Sequence, residues 1–213
     1  VTSTARRRLV VMDVDSTLIT HEVIELLAEH AGSREQVARI TESAMRGELD
    51  FAASLHARVA TLAGLPVSVF DDVRAQLVLT PGAAELLAEL ARRDWPVGLV
   101  SGGFLEVVAP LAAGLGITMA RANRLEVHDG VLTGRVLGAV VDRDAKVAAL
   151  RDYAAATGIP LADTVAVGDG ANDLGMIELA GLGVAFDAKP VVAAAADATI
   201  SGRLDALLPL LDR

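Results

Sequence analysis

The chain contains no cysteine, so disulfides and thiolate chemistry are excluded and any metal ligand must be an oxygen or an imidazole. Aromatic residues make up only 3% of the 213 residues, although apolar residues as a whole reach 53%. A core so poor in rings has to be built from Ala, Val and Leu, which suits closely packed helices and buried strands. Basic residues are in deficit too: 19 Lys and Arg against 28 Asp and Glu give a net charge of −9, which repels nucleic acid and anionic membrane. The one dense basic run, Arg6-Arg7-Arg8, reads as a solvated N-terminal arm. Long apolar runs are also missing. Leu9 to Met12 is too short for a signal-peptide core, and no later stretch is apolar enough to span a bilayer. A cytoplasmic protein with no nucleic-acid or membrane partner is expected, and the sequence is silent on its oligomeric state.

What is present is a regular alternation. Leu9-Val10-Val11-Met12, Val97-Gly98-Leu99-Val100 and Thr164-Val165-Ala166-Val167 are short continuous apolar runs that end in polar residues, and they read as buried parallel strands. Residues 183–186 and 198–200 read as two shorter strands. Amphipathic stretches over 83–93, 105–115, 145–157, 174–180 and 204–211 read as helices, and the Ala193 to Ala196 run as helix rather than linker. Such alternation implies an α/β fold with a doubly wound, mostly parallel, Rossmann-like sheet. Residues 22–78 break the pattern, carrying apolar positions at helical period (Val23, Ile24, Leu26, Leu27; Phe51, Leu55, Val59, Leu62) and no strand-like run. A small helical domain over 21–78, inserted after the first strand into a core of 1–20 and 79–213, is expected. Residues 123–136 signal a hairpin around Asp129-Gly130.

Ligands of an open α/β sheet bind at the carboxyl ends of its strands. Those ends are unusually polar here: Asp13-Val14-Asp15-Ser16-Thr17 after the first strand, Ser101-Gly102-Gly103 after the second, and Gly168-Asp169-Gly170-Ala171-Asn172-Asp173 after the Thr164 run, with Lys146 in the first turn of the helix preceding it. Asp-x-Asp alone is commoner as a turn or calcium-loop fragment, Ser-Gly-Gly alone is usually a turn, and a lone lysine at a helix start is mostly a surface residue. Their conjunction at successive strand ends is not explained that way. Asp13, Asp15, Asp169 and Asp173 gathered at one edge repel one another unless a cation or shifted protonation offsets them. Mg²⁺ takes oxygen ligands and shares them with phosphate oxygens. The Ser101 hydroxyl, the backbone N–H groups at Gly102 and Gly103, and the Lys146 ammonium supply donors and charge for a phosphoryl group.

These stretches resemble the motifs of the haloacid dehalogenase superfamily and, within it, the phosphoserine phosphatases, over nearly the whole chain. Ala44-Met45-Arg46-Gly47-Glu48-Leu49-Asp50-Phe51 is similar to the phosphoserine phosphatases specifically. The resemblance implies Mg²⁺-dependent hydrolysis of L-phosphoserine through an aspartyl-phosphate, with Asp13 as nucleophile and Asp15 as acid and base. It puts Mg²⁺ on Asp13, the Asp15 backbone carbonyl and Asp169, with Asp173 in support. Ser101, Gly102, Lys146 and Asn172 would hold phosphate oxygens. The inserted helices would be a cap over the site, in which Glu22 meets the substrate ammonium, Arg58 its carboxylate, and Met45 and Phe51 pack over the mouth. A zwitterionic amino acid needs one fixed anion and one fixed cation, in keeping with that pair. His21 and His56, which flank these positions, read as surface residues. Two other functions compete: a phosphatase or phosphotransferase for another small phosphomonoester, and a non-catalytic sensor that binds Mg²⁺ and phosphate.

Overall fold

The computed structural model describes residues 7–45 and 48–212, with the side chains of Ala44 and Met45 outside the described part. Seven strands form one sheet: β1 (Leu9–Met12), β2 (Val97–Phe104), β3 (Met119–His128), β4 (Val131–Leu137), β5 (Thr164–Gly168), β6 (Leu182–Phe186) and β7 (Ala198–Ile200), in the spatial order β4-β3-β2-β1-β5-β6-β7. Neighbours are parallel except β3 and β4. Helices α1 (Val23–His30), α2 (Arg34–Met45), α3 (Phe51–Ala60) and α4 (Val69–Gln76) follow β1, and α5 (Ala83–Arg92) leads into β2. Then come α6 (Leu105–Gly114), α7 (Arg143–Thr157), α8 (Leu174–Leu179), α9 (Pro190–Ala195) and α10 (Leu208–Leu211). The architecture is the mixed, mostly parallel α/β sheet that the alternation implies.

β1 is buried on both faces, and that is why it reads as an unbroken apolar run. Leu9 and Val11 pack with Ala149 and Leu150 of α7, Met176 of α8 and Val192 of α9. Val10 and Met12 belong to the opposite layer, with Leu86 and Leu90 of α5 and Val107 and Val108 of α6. Val23, Ile24 and Leu27 of α1, Leu55 and Val59 of α3, and Val69 and Val73 of α4 are buried in that same layer, so their helical period finds a common core.

The chain leaves the sheet and returns to it side by side. The Thr80 N–H donates to the Leu18 carbonyl at 2.9 Å, the Thr20 N–H to that of Val78 at 3.0 Å, and the Thr80 hydroxyl to that of Thr17 at 2.6 Å. After β1 the chain builds towards β4 on one side, then crosses to build β5 to β7 on the other. The order therefore reverses between β1 and β5, and the crevice at their carboxyl ends is the place where such sheets bind ligands.

Three elements differ from the sequence expectation. β2 runs to Phe104 instead of ending at Val100, with a register shift against β3 between Val100 and Phe104, so Ser101-Gly102-Gly103 form an irregular stretch inside the strand. The first strand of the hairpin begins at Met119 and pairs in parallel with β2 before turning into β4, so the hairpin extends the main sheet. The last helical stretch divides into a tight turn over Leu204–Leu207 and α10. Of the basic N-terminal run, Arg6 lies outside the described residues, and Arg7 donates to the Asp94 carbonyl at 2.8 Å. Among the described residues no helix is long and apolar enough to cross a membrane.

Candidate active site

The site is built where β1 and β5 end. The Asp13 N–H still pairs with the Val167 carbonyl at 3.0 Å, which holds its side chain at the end of the sheet. Beyond it the chain makes a tight turn in which Ser16 takes the left-handed conformation, φ 56° and ψ 9°, closed by the Ile19 N–H on the Val14 carbonyl at 3.0 Å. This turn carries the Asp15 carboxylate back beside β2. Its Oδ1 accepts from the Val23 N–H at 3.0 Å and its Oδ2 from the Ser101 hydroxyl at 3.1 Å. Ser101 Oγ accepts in turn from the Gly103 N–H at 2.7 Å. Only glycine fits at 103, because a Cβ there would stand 2.5 Å from Asp15 Oδ2.

Lys146, fully buried, donates to Asp13 Oδ1 and to Asp173 Oδ1 at 2.6 Å each. It projects from the start of α7, which Asp142 caps by accepting from the Ala145 N–H at 2.9 Å. Asp173 Oδ2 accepts from the Gly170 N–H at 3.0 Å, and Asp169 accepts from the Thr17 hydroxyl at 3.3 Å. Carboxylate oxygens of Asp13, Asp169 and Asp173 lie within 4.8 Å of one another.

The electrostatics follow from this crowding. Burial pushes the Asp13 carboxyl well above the ordinary range; Lys146 opposes the shift, and Asp173 and Asp15 add to it. Burial, with the Glu22 charge, raises Asp15 to about 7. Burial, with Asp173 and Glu22, raises Asp169 to about 6. Burial works against the charge of Lys146, but Asp13 and Asp173 outweigh it and hold the ammonium above the usual lysine range. Three clustered carboxylates against one ammonium leave negative charge uncompensated, and the donors are all oxygen. The cluster therefore fits a hard divalent cation.

A cavity of about 480 Å³ opens over these groups, lined among others by Asp13, Asp15, Gly102, Asp169 and Asn172 from the strand ends and by Glu22, Phe51 and Arg58 from the helical segment. A Cβ on Gly102 would stand 3.3 Å from the Phe51 ring and 3.5 Å from the Asn172 amide nitrogen, so both side chains face that backbone. The Ser16 hydroxyl donates to Glu22 Oε1 at 2.6 Å. Arg58 is partly buried, its Nε donating to the Ser54 carbonyl at 3.3 Å; burial lowers its pKa, while Glu22, Asp15 and Glu25 counter that loss.

Other residues named from the sequence sit differently. Ser101, Lys146 and Asp173 are buried behind the cavity and not on its wall. Met45 ends α2, and its side chain lies outside the described residues, as do Arg46 and Gly47. Two residues escaped sequence reasoning. Asn123, 1% exposed, donates to the Gly102 carbonyl at 2.8 Å and accepts from the Val141 N–H at 2.7 Å, but its flanking Arg121 and Arg124 hide it in sequence. Lys189 lines the cavity three residues after β6 ends at Phe186, and the same strand-end rule would have found it.

Comparison with known proteins agrees with this geometry. The haloacid dehalogenase-like hydrolase family matches residues 10–178. The phosphoserine phosphatase of Streptomyces coelicolor is 60% identical over 206 residues, covering 96% of this chain, which spans only 50% of that relative. The phosphoserine phosphatase of Streptococcus thermophilus is 58% identical, with 86% of each chain covered. Among solved structures, that of a phospho-aspartyl intermediate analogue of phosphoserine phosphatase matches with a TM-score of 0.90 at 43% identity, covering 97% of this chain and 99% of the other.

Proposed function

Since the chain belongs to the haloacid dehalogenase-like hydrolases, we propose that it hydrolyses L-phosphoserine to L-serine and phosphate, the last step of serine synthesis, through a phosphorylated Asp13. The observation that carries this reading is one cavity holding a lysine-paired aspartate, a second aspartate raised to about 7, and an anion and a cation, Glu22 and Arg58, facing the same space.

Lys146 occupies Asp13 Oδ1, which leaves Oδ2 to attack phosphorus in line with the departing serine oxygen. As the Asp13 O–P bond forms, the P–O bond to serine breaks and the proton on Asp15 passes to the leaving oxygen. Ser101 and the Val23 N–H hold the Asp15 carboxyl in one orientation while it waits. Water then attacks the aspartyl-phosphate, giving its proton to the Asp15 carboxylate, and phosphate leaves Asp13 free again. Gly102, through its backbone, and Asn172 hold phosphate oxygens, Lys146 adds its charge from behind, and Ser101 joins them when its hydroxyl turns from Asp15 to the phosphate.

Mg²⁺ is the cation this reading assigns, held by Asp13, the Asp15 backbone carbonyl and Asp169 with Asp173 in support. When bound, it supplies positive charge that offsets the carboxylates and the transferring phosphoryl group. Glu22 binds the substrate ammonium and Arg58 its carboxylate, while Met45 and Phe51 cover the mouth of a cap made by residues 21–78.

The test is phosphate release from L-phosphoserine beside phosphothreonine, phosphohomoserine, glycerol phosphate and sugar phosphates, with Mg²⁺ and with EDTA. Magnesium-dependent preference for L-phosphoserine is expected. Preference for another compound would keep the mechanism and remove the substrate, and silence across the panel would overturn both.

A further inference from the structure

The β3–β4 hairpin does more than finish a sheet. Three backbone hydrogen bonds fasten it to the turn that follows α3: Gly64 N–H to the Leu132 carbonyl at 2.8 Å, Leu132 N–H to that of Leu65 at 2.8 Å, and Val67 N–H to that of Gly130 at 3.0 Å. Gly134 of β4 lies flat against the end of α3. Its φ of +79° favours glycine, and a Cβ there would stand 3.0 Å from Ala63 Cβ, 3.2 Å from the Ala60 carbonyl oxygen and 3.3 Å from Ala60 Cα, so these neighbours would have to give by a few tenths of an ångström. Ala60 is two residues beyond Arg58 on the same helix. From the other side, the Thr61 hydroxyl donates to the Arg58 carbonyl at 2.7 Å and accepts from the Ser33 hydroxyl at 3.0 Å. The backbone that carries Arg58 is thus clamped between the hairpin and the α1–α2 connection.

We propose that Gly134 is a positioning residue for substrate selectivity: its bare backbone sets how closely α3 docks on the hairpin, and so where the Arg58 guanidinium meets a substrate carboxylate. The proposal rests on the reading of Arg58 as the carboxylate's partner. A bidentate guanidinium–carboxylate pair is demanding in geometry, so a shift of a few tenths of an ångström weakens it, whereas the reacting groups on β1, β2 and β5 lie on other elements and stay in place.

The experiment compares L-phosphoserine with O-phosphoethanolamine, which differs only in lacking the carboxylate, for the wild type, Gly134→Ala, Gly138→Ala and Arg58→Ala. Gly138 has the same kind of backbone, φ +76°, with nothing within 4 Å of a Cβ, so it matches the strain without the contact. Gly134→Ala is expected to raise KM for L-phosphoserine about tenfold, leaving kcat and the kcat/KM for O-phosphoethanolamine within about twofold. Gly138→Ala is expected to keep the wild-type ratio between the two substrates. Ala63→Val crowds the same contact from the turn after α3 without straining Gly134, and is expected to reproduce the selective rise, so the test holds even where Gly134→Ala does not fold. If Arg58→Ala collapses the ratio but Gly134→Ala and Ala63→Val leave it intact, the positioning role is overturned alone. If Arg58→Ala leaves the ratio intact, the carboxylate reading falls and this proposal with it.

Discussion

Asp13 and Asp15 stand two residues apart, yet their carboxylates meet opposite partners. Asp13 has an ammonium at 2.6 Å; Asp15 has a hydroxyl, a backbone N–H and the field of Glu22. Under the proposed roles the nucleophile must give up its proton and the acid must keep one; burial raises both carboxyls, and the direct Lys146 bond opposes that rise at Asp13, where Asp15 has no such bond. The division of labour predicts different consequences for different leaving groups. Asp15→Asn should lower turnover of L-phosphoserine about 10²–10⁴-fold, the usual worth of a positioned acid. With p-nitrophenyl phosphate, whose leaving group departs without a proton, formation of the phosphoenzyme should suffer far less, so that phosphoprotein accumulates and can be seen by mass spectrometry. Asp13→Asn should give neither turnover nor phosphoprotein with either substrate. Phosphoprotein trapped in Asp13→Asn would move the nucleophile elsewhere.

At the scale of elements, the legible parts were those whose burial is uniform. β1 and β5 are covered on both faces, so their apolar runs ended where the polar wall of the cavity begins, and the strand-end rule led to Asp13, Asp15 and Asp169 on that wall. β3 was less legible because its exposure varies along its length, from half-buried at Met119 to exposed at His128, and it pairs with two neighbours in opposite senses. That Lys146 and Ser101 lie behind the cavity was not legible either, since spacing along a chain does not say which side of a carboxylate a donor takes. The supporting contacts between elements carry their own predictions. Asn123 joins β3 to the irregular stretch of β2 and to Val141 ahead of α7, so Asn123→Ala takes that partner from a half-buried carbonyl and a buried N–H. It should cost about 1–3 kcal/mol in urea unfolding and lower kcat/KM as the Gly102 backbone loosens. Unchanged stability would mean that neither bond matters. Glu106, in the first turn of α6, accepts from the Leu125 N–H at 3.1 Å through Oε1, while its Oε2 is buried with no hydrogen-bond partner among the described residues. Burial raises its pKa, against the pull of its own and the Leu125 N–H and of Arg124. The folded state then holds the proton more tightly than the unfolded one, so this stability is full below about pH 4 and is lost as pH rises through the folded value. Glu106→Gln, which keeps the acceptor and drops the charge, should raise Tm at about pH 8 and change it little near pH 4. A fall in Tm at about pH 8 would show that the charge is stabilising there instead.

For the molecule as a whole, the distribution of charge ties folding to the ligand. The chain carries a net charge of −9, and its topology brings Asp13, Asp169 and Asp173 within 4.8 Å at the one point where the strand order reverses. Folding therefore concentrates anions that the unfolded chain keeps far apart, with Lys146 as their buried counterion. A cation that binds this cluster and not the unfolded chain must stabilise the fold, by about 2.7 kcal/mol at a free concentration ~100 times its Kd. For a domain of this size that is a rise in Tm of about 5–10 °C. Thermal unfolding in Mg²⁺ against EDTA should show the rise, and it should saturate with Mg²⁺ instead of growing steadily as general screening does. Asp169→Ala removes one of the proposed ligands while leaving the Asp13–Lys146–Asp173 bonds in place, so it should unfold at a similar or higher temperature than the wild type in EDTA yet lose most of the Mg²⁺ response. Glu106→Gln, far from the cluster in the chain, should keep the whole response. Equal responses in all three proteins would assign the stabilisation to diffuse charge across the surface and separate the cation from the strand-end carboxylates.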